Sequence, residues 1–131
     1  MLLLDVRHPD IFQFVTAKED RTKVTGANIS VMLTDKFMTA VVENDDFICS
    51  FPIDSETPEN IEIEYNKIVS YNDSLIMKIK AKELYGLIVQ MAWKNAEPGQ
   101  AFIDQINNYS PDGVYYYINK SNPCGKIVCL K

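Results

Sequence analysis

The residue best suited to chemistry is Cys124, which lies between Pro123 and Gly125 in a chain of 131 residues. Proline holds the residue before it in extended geometry, and glycine lets a backbone turn or approach a ligand closely. Because a short β-prone run follows, the pattern predicts a thiol at the tip of a strand. Such a thiol can be a nucleophile, a redox centre or a hydrogen-atom abstractor. A structural thiol is the alternative, and this short motif does not separate the two.

Other reactive side chains have plainer interpretations. His8 is the only histidine, and its position at a predicted helix start favours a capping or turn role over that of a general base. Cys49 lies inside a predicted strand, where packing is the expected role. The run Tyr115–Tyr117 could stack on a ligand, although core or interface tyrosines are the commoner case. The cysteine spacing matches no zinc site.

Composition indicates one ordinary globular domain, with 47% hydrophobic and 24% charged residues. The net charge of −5 argues against a surface that neutralises phosphate backbones, so nucleic acid is not expected as a partner. The apolar run at Leu2–Leu4 ends at Asp5 and is too short for a signal peptide or a membrane span. We therefore expect a cytoplasmic protein with reduced cysteines and no membrane partner.

Hydrophobic periodicity predicts a mixed α/β fold in which helices connect strands, as in parallel pairs joined by crossovers. The chain opens abruptly on an apolar strand that is predicted to be buried, which hints at a segment of something larger. Thr34 is a predicted helix cap, Pro9 a first helical residue, and Trp93 is expected to pack at the end of the longest helix. Strands are predicted at 1–6, 26–33, 47–52 and 101–104, a hairpin at 61–70 and 75–80, helices from 9, at 35–43 and at 81–95, and an acidic loop at 54–60.

Several stretches, taken in order, resemble one family. His8–Lys18 is similar to the HPDI-x-x-F-x-x-x-K segment of ribonucleotide reductase large subunits, and the proline before Cys124 is most like the adenosylcobalamin-dependent branch. The resemblance covers nearly the whole chain except a divergent loop and hairpin at 54–80. Its other segments are Asn28–Val31, Thr34–Met38, the AW…AEPG…FID stretch at 92–104, and Asn122-Pro123-Cys124-Gly125, which resembles NPCGE.

The resemblance implies a ten-stranded α/β barrel, of which residues 1–131 form one partial catalytic domain, about the first half through the finger strand. The 54–80 segment is then a loop and hairpin insertion. In that family the finger-loop cysteine becomes a thiyl radical that abstracts the ribose 3′-hydrogen of a nucleotide. By position, Cys124 is the radical thiol, and Asn122 and Gly125 lie where substrate binds. A neutral amide suits a ribose hydroxyl.

Two departures from the family pattern affect the expected chemistry. Lys126 occupies the position of the family's glutamate, and a protonated ammonium has no lone pair with which to accept a proton. The family's redox cysteine pair falls outside the matching region, and Cys129 does not take its place. The later barrel strands and an adenosylcobalamin site are likewise not expected in this chain.

Two functions follow as hypotheses. The chain could be part of a ribonucleotide reductase that acts on a ribonucleotide together with the missing barrel half or a complementary fragment. It could instead be a non-catalytic remnant or protein-interaction module that retains the fold. Open strand edges also predict self-association.

Overall fold

A computed structural model describes residues 1–20, 22, 24–57, 62–111, 115–121 and 128–129. Within these ranges the protein is an α/β structure with one parallel and one antiparallel three-stranded sheet, plus a short strand pair. In chain order the elements are β1 (Leu2–Asp5), α1 (Ile11–Thr16), β2 (Ile29–Leu33), α2 (Asp35–Glu43), β3 (Asp46–Phe51), β4 (Ile68–Tyr71), β5 (Ser74–Lys80), α3 (Ala81–Asn95), β6 (Gly99–Phe102), α4 (Ile103–Tyr109), β7 (Lys120–Ser121) and β8 (Val128–Cys129).

The parallel sheet has the order β1-β2-β6, which confirms the predicted crossover connections. Leu2 pairs with Ile29 and Ser30 pairs with Gly99, so all three strands run in one direction. Alternate residues of β2 are buried, as expected for a strand with one face towards the core. The carboxyl ends of the three strands therefore meet along one edge of the sheet, which we call the carboxyl edge.

The two longer helices have the predicted bounds because their end signals are strong. Thr34 is extended, and its hydroxyl accepts a hydrogen bond from the Phe37 N–H at 3.2 Å, as in an N-cap. The helix α3 ends where Ala96 adopts a left-handed conformation, one residue before Glu97 and Pro98. Trp93 is 89% exposed, so the prediction that it packs at the helix end was wrong.

The antiparallel sheet has the order β3-β5-β4, and the hairpin of β4 and β5 was correctly expected. The first hairpin strand is shorter than predicted, because Asn66 adopts a positive φ of 61° and interrupts the extended backbone. Its N–H still donates to the Lys78 carbonyl at 2.8 Å, and Tyr65 forms an isolated bridge with Lys78. Ile61 lies outside the described residues.

One hydrophobic core joins the two sheets and the helices α1, α2 and α3. Phe37 and Phe47 meet edge to face at 5.1 Å between ring centroids, which locks α2 onto β3. The antiparallel sheet docks against the end of β1, where the Ser50 N–H donates to the Arg7 carbonyl at 2.8 Å. Fully buried members of the core include Val6, Ile11, Val31, Ile79, Leu84 and Ile88.

Three further predictions need correction. β1 is an edge of its sheet within the described residues, and Leu2 is 50% exposed rather than buried. α1 begins at Ile11, because His8, Pro9 and Asp10 form a turn in which the Ile11 N–H donates to the His8 carbonyl. The strand predicted at 101–104 ends at Phe102, and α4 follows at once.

The described residues form two open sheets and no closed barrel. Within the same ranges, no helix is both long and apolar enough to cross a membrane. The helix α4 begins at the carboxyl edge, directly after β6, and the strand pair β7–β8 follows it in the chain.

Candidate functional site

The predicted catalytic segment lies between two strands that pair with each other. β7 and β8 are antiparallel, with Lys120 opposite Cys129 and Ser121 opposite Val128. Pairing brings the two ends of the intervening segment together, as in a hairpin. Asn122, Cys124, Gly125 and Lys126 themselves lie outside the described residues, so their roles stay predictions.

Just before β7, the backbone is anchored by Asn107 of α4. The Asn107 side chain accepts a hydrogen bond from the Ile118 N–H at 2.6 Å and donates to the Ile118 carbonyl at 2.9 Å. Its amide also donates to the Ile103 carbonyl at 2.9 Å. The Ile118 side chain is completely buried, so both its backbone and its side chain are fixed.

A second polar link ties α4 to α2 at the carboxyl edge. The Asp104 carboxylate accepts a hydrogen bond of 2.7 Å from the N–H of Asp35, the first residue of α2. Gln105 donates to both carboxylate oxygens of Asp35, at 2.8 and 3.0 Å. An acceptor at a helix start satisfies a backbone N–H that has no partner within the helix. The ends of β2 and β6 are thereby held together.

Arg7 lies at the carboxyl edge, just after β1, and is the one arginine among the described residues. The Arg7 guanidinium binds both oxygens of Asp5, at 2.9 and 2.7 Å, and reaches Asp54 at 2.6 Å. The hydrogen bond to Asp5, aided by the two negative charges, raises the pKa of Arg7 further above its usual value. This cation is therefore already paired with carboxylates of the chain itself.

An open cleft of about 590 Å³ lies between α4 and the three tyrosines. Tyr115, Tyr116 and Tyr117 are 80%, 59% and 58% exposed, which excludes the core alternative and leaves stacking or an interface as predictions. Partial desolvation, followed by the negative charge of Asp104, raises the pKa of Tyr117. The cleft is otherwise lined by Asp35, Asp104, Asn107 and Asn108.

His8 and Cys49 have the structural roles expected of them. The His8 Nδ1 accepts the Asp10 N–H at 3.1 Å, and its ring lies 5.0 Å from that of Phe51. The buried Cys49 thiol donates to the Val6 carbonyl, and desolvation followed by the charge of Asp5 raises its pKa to about 12. A thiol with that pKa is inert at neutral pH.

Sequence reasoning missed Asn107 and Asp104 as organisers of this region. Asp104 was noted only as the last residue of the FID motif, and Asn107 follows it by three positions. The i, i+3 spacing of Ile103 and Ile106 is the signal that could have placed both on a short helix. Their partners Asp35 and Ile118 belong to other parts of the chain and cannot be read from local pattern.

Comparison with known families identifies the family to which this chain belongs. The family model described as "Ribonucleotide reductase, barrel domain" matches residues 1–131. The chain belongs to this family, as the ordered motifs indicated.

The relatives are larger proteins. The chain is 35% identical over 128 residues to a vitamin B12-dependent ribonucleoside-diphosphate reductase of Thermoplasma acidophilum, a match that covers 96% of this chain and 14% of that protein. Against the Mycobacterium tuberculosis protein of the same description (strain CDC 1551 / Oshkosh), identity is 32% over 132 residues, covering 99% and 16%. A vitamin B12-dependent ribonucleotide reductase of Streptomyces avermitilis is 29% identical over 153 aligned residues, covering 99% and 14%. The chain thus spans about a seventh of the length of these relatives.

Proposed function

We propose that this chain is part of the catalytic barrel of a ribonucleotide reductase and acts together with the remainder of that barrel. The observation that carries the proposal is the family match over residues 1–131, a range that includes Asn122-Pro123-Cys124-Gly125, the segment that resembles NPCGE. The antiparallel pairing of β7 with β8 on either side of that segment supports it. Residues 54–80 are then an insertion of this chain.

Cys124 is the residue to which we assign the radical step. As a thiyl radical, its sulfur takes a hydrogen atom from C3′ of the ribose, which forms the S–H bond and leaves the unpaired electron on carbon. Asn122 binds a ribose hydroxyl through its neutral amide, and Gly125 permits close approach of the backbone. The substrate is a ribonucleoside diphosphate or triphosphate.

Lys126 leaves the proposed reaction without the carboxylate that accepts the proton in the family. The proton of the ribose 3′-hydroxyl needs an acceptor, and an ammonium group offers none. Lys126 becomes a base only if burial lowers its pKa enough to make it neutral. Reductase activity in the unaltered chain therefore requires either that shift or an acceptor supplied by the partner.

Adenosylcobalamin is the radical source that we propose, because the relatives are described as vitamin B12-dependent. Within the described residues, no group of three or more histidine, cysteine or acidic side chains is arranged to hold a metal ion. The cleft at the carboxyl edge is lined by carboxylates, carboxamides and tyrosines, which do not form a cobalamin site. We assign the cofactor to the remainder of the barrel.

The partners and location follow from the same proposal. The complementary barrel half supplies the cofactor site and the reducing cysteine pair, and the complex works in the cytoplasm without nucleic acid or membrane. Self-association of the isolated chain is expected through strand edges that the partner otherwise covers.

A second candidate function is a non-catalytic module that keeps the barrel's shape. Lys126 favours it, because a lysine at the glutamate position removes the family's proton acceptor.

A reductase assay on four proteins separates the two functions. The unaltered chain, Lys126→Glu, Cys124→Ser and the double variant are each mixed with the complementary barrel half, a ribonucleotide, adenosylcobalamin and dithiothreitol. We expect Lys126→Glu to raise deoxyribonucleotide formation above that of the unaltered chain, and Cys124→Ser to abolish it in both backgrounds.

Binding of the barrel half is measured in parallel by analytical ultracentrifugation. Normal binding with no product from any of the four proteins would establish the non-catalytic module and end the reductase proposal.

A further inference from the structure

We propose that Asn107 is a positioning residue for the segment containing Cys124. This inference deepens the reductase proposal and rests on it for its catalytic meaning. Its structural part is that α4 holds the strand that leads to residues 122–127. This part can be tested without measuring the reaction.

The contact between Asn107 and Ile118 imitates a strand pair. In an antiparallel sheet, a hydrogen-bonded residue both donates its N–H to the opposite residue and accepts from it. The Asn107 carboxamide does the same for Ile118, with its oxygen 2.6 Å from the Ile118 nitrogen and its nitrogen 2.9 Å from the Ile118 oxygen. One side chain thus makes the two hydrogen bonds with Ile118 that a residue of a neighbouring antiparallel strand would make.

The anchor is stiff because Asn107 is itself held. Its amide nitrogen has two donors, and the second reaches the Ile103 carbonyl of the same helix at 2.9 Å. The first turn of α4 is bonded in turn to the start of α2 through Asp104 and the Asp35 N–H. A continuous polar connection therefore runs from the parallel sheet to Ile118.

Ile118, which Asn107 holds, precedes the predicted radical thiol of Cys124 by six positions in the chain. Asn119 follows Ile118, Lys120 and Ser121 then pair with β8, and Asn122 is the next residue. A radical hydrogen transfer depends steeply on the separation of the reacting atoms, so a shift of about 1 Å in the strand costs about 100-fold in rate. Asn107 is suited to prevent that shift, because it fixes the backbone of Ile118 on both its N–H and its carbonyl.

Asn108 provides the matched control. It is the next residue of α4 and exposed, and no hydrogen bond of its side chain occurs among the described residues. Substitutions at 107 and 108 therefore alter the same residue type in the same helix. Only the substitution at 107 removes the hydrogen bonds to Ile118.

The first test measures the mobility of a nitroxide attached to Cys124 in the whole chain, with Cys129→Ser in every sample so that one reactive thiol remains. Cys49 is fully buried and does not compete for the label. We expect Asn107→Ala to increase the mobility seen by electron paramagnetic resonance, and Asn108→Ala to leave it unchanged. Circular dichroism verifies that each variant is folded.

Asn107→Asp serves as a second variant if Asn107→Ala does not fold. Its ionised carboxylate faces the carbonyls of Ile118 and Ile103, whereas the protonated acid regains one donor. We expect the label to be mobile at pH 8 and restrained again once acidification protonates the carboxyl group, whose ordinary pKa of about 3.9 is raised by the two carbonyls that it faces. Asn108→Asp should show no such change. Equal mobility for the 107 and 108 variants at every pH would overturn the inference.

The second test uses the assembled reductase. Asn107→Ala should lower kcat by about 100-fold and raise KM by much less, because the hydrogen transfer depends more steeply on distance than do the ribose contacts proposed for Asn122 and Gly125 in the same segment. If the unaltered complex makes no deoxyribonucleotide, the reductase proposal fails while the mobility result still decides the anchor. If the complex is active and Asn107→Ala is as active as Asn108→Ala, Asn107 has no positioning role.

Discussion

Ser30 of β2 and Gly99 of β6 are opposite each other in the parallel sheet, and the serine hydroxyl occupies the space that a β-carbon at position 99 would need. A Cβ built on Gly99 would lie 2.6 Å from the Ser30 Oγ, well inside van der Waals contact. The glycine that ends the AEPG motif is therefore explained by its neighbour on the next strand.

Gly99→Ala should lower the free energy of unfolding by about 1 kcal/mol, because the Ser30 hydroxyl must rotate away or the strands must separate slightly. In a Ser30→Ala background the same change should be neutral or stabilising by about 0.5 kcal/mol, because alanine restricts the unfolded chain. Urea unfolding of the four proteins in this double-mutant cycle measures the coupling. Additive effects of the two substitutions would contradict the steric explanation.

Ala96 offers a substitution that should stabilise the protein. It terminates α3 with φ 60°, a left-handed conformation that is unfavourable for alanine and free of strain for glycine. Ala96→Gly should raise the free energy of unfolding by about 0.5–1 kcal/mol. Ala92→Gly makes the same chemical change inside the helix and should lower it by about 1 kcal/mol. Thermal unfolding of both variants checks the opposite signs, and a loss of stability in Ala96→Gly would refute the account of this helix end.

Cys49 should make the stability of the protein fall at alkaline pH. Burial raises its pKa from 9.0 to about 12, so above pH 9 the unfolded chain releases a proton that the folded chain retains. The stabilisation is complete below the unfolded pKa and declines as pH rises towards the folded one, by at most about 1.4 kcal/mol per pH unit.

Cys49→Ala provides the comparison, since it removes the titrating thiol and costs about 1–2 kcal/mol at neutral pH through lost packing. The difference in unfolding free energy between the unaltered chain and Cys49→Ala should shrink from pH 9 upwards. A difference that is the same at pH 7 and pH 10.5 would show that the buried thiol does not titrate differently in the two states.

Local sequence signals predicted most of the helices and strands. They failed where long-range contacts or backbone strain determine where an element begins or ends. The bounds of α2 followed from the Thr34 cap, and those of α3 from its apolar spacing and the proline after it. The left-handed Asn66 shortened a strand that its alternating pattern had favoured. α4 was missed because it has only seven residues and one apolar pair at helical spacing.

The candidate site likewise contains some residues that the sequence pattern predicts and others that it does not. Family resemblance predicts roles for Asn122 and Cys124 from a motif, because the catalytic residues of a family recur at fixed positions along its chains. It could not identify Asn107, whose importance depends on meeting Ile118 eleven positions later. A residue of this kind is recognised from hydrogen-bond geometry.

The hydrogen bonds that α4 makes with α2 and with Ile118 have a mechanical consequence. Asp104 in its first turn bonds the start of α2, and Asn107 one turn later bonds Ile118, so this rod of about 10 Å is pinned at both ends. A displacement of the start of α2 is therefore transmitted through α4 to Ile118, two residues before β7. The chain contains a linkage through which strain at the parallel sheet can move the strand that leads to residues 122–127.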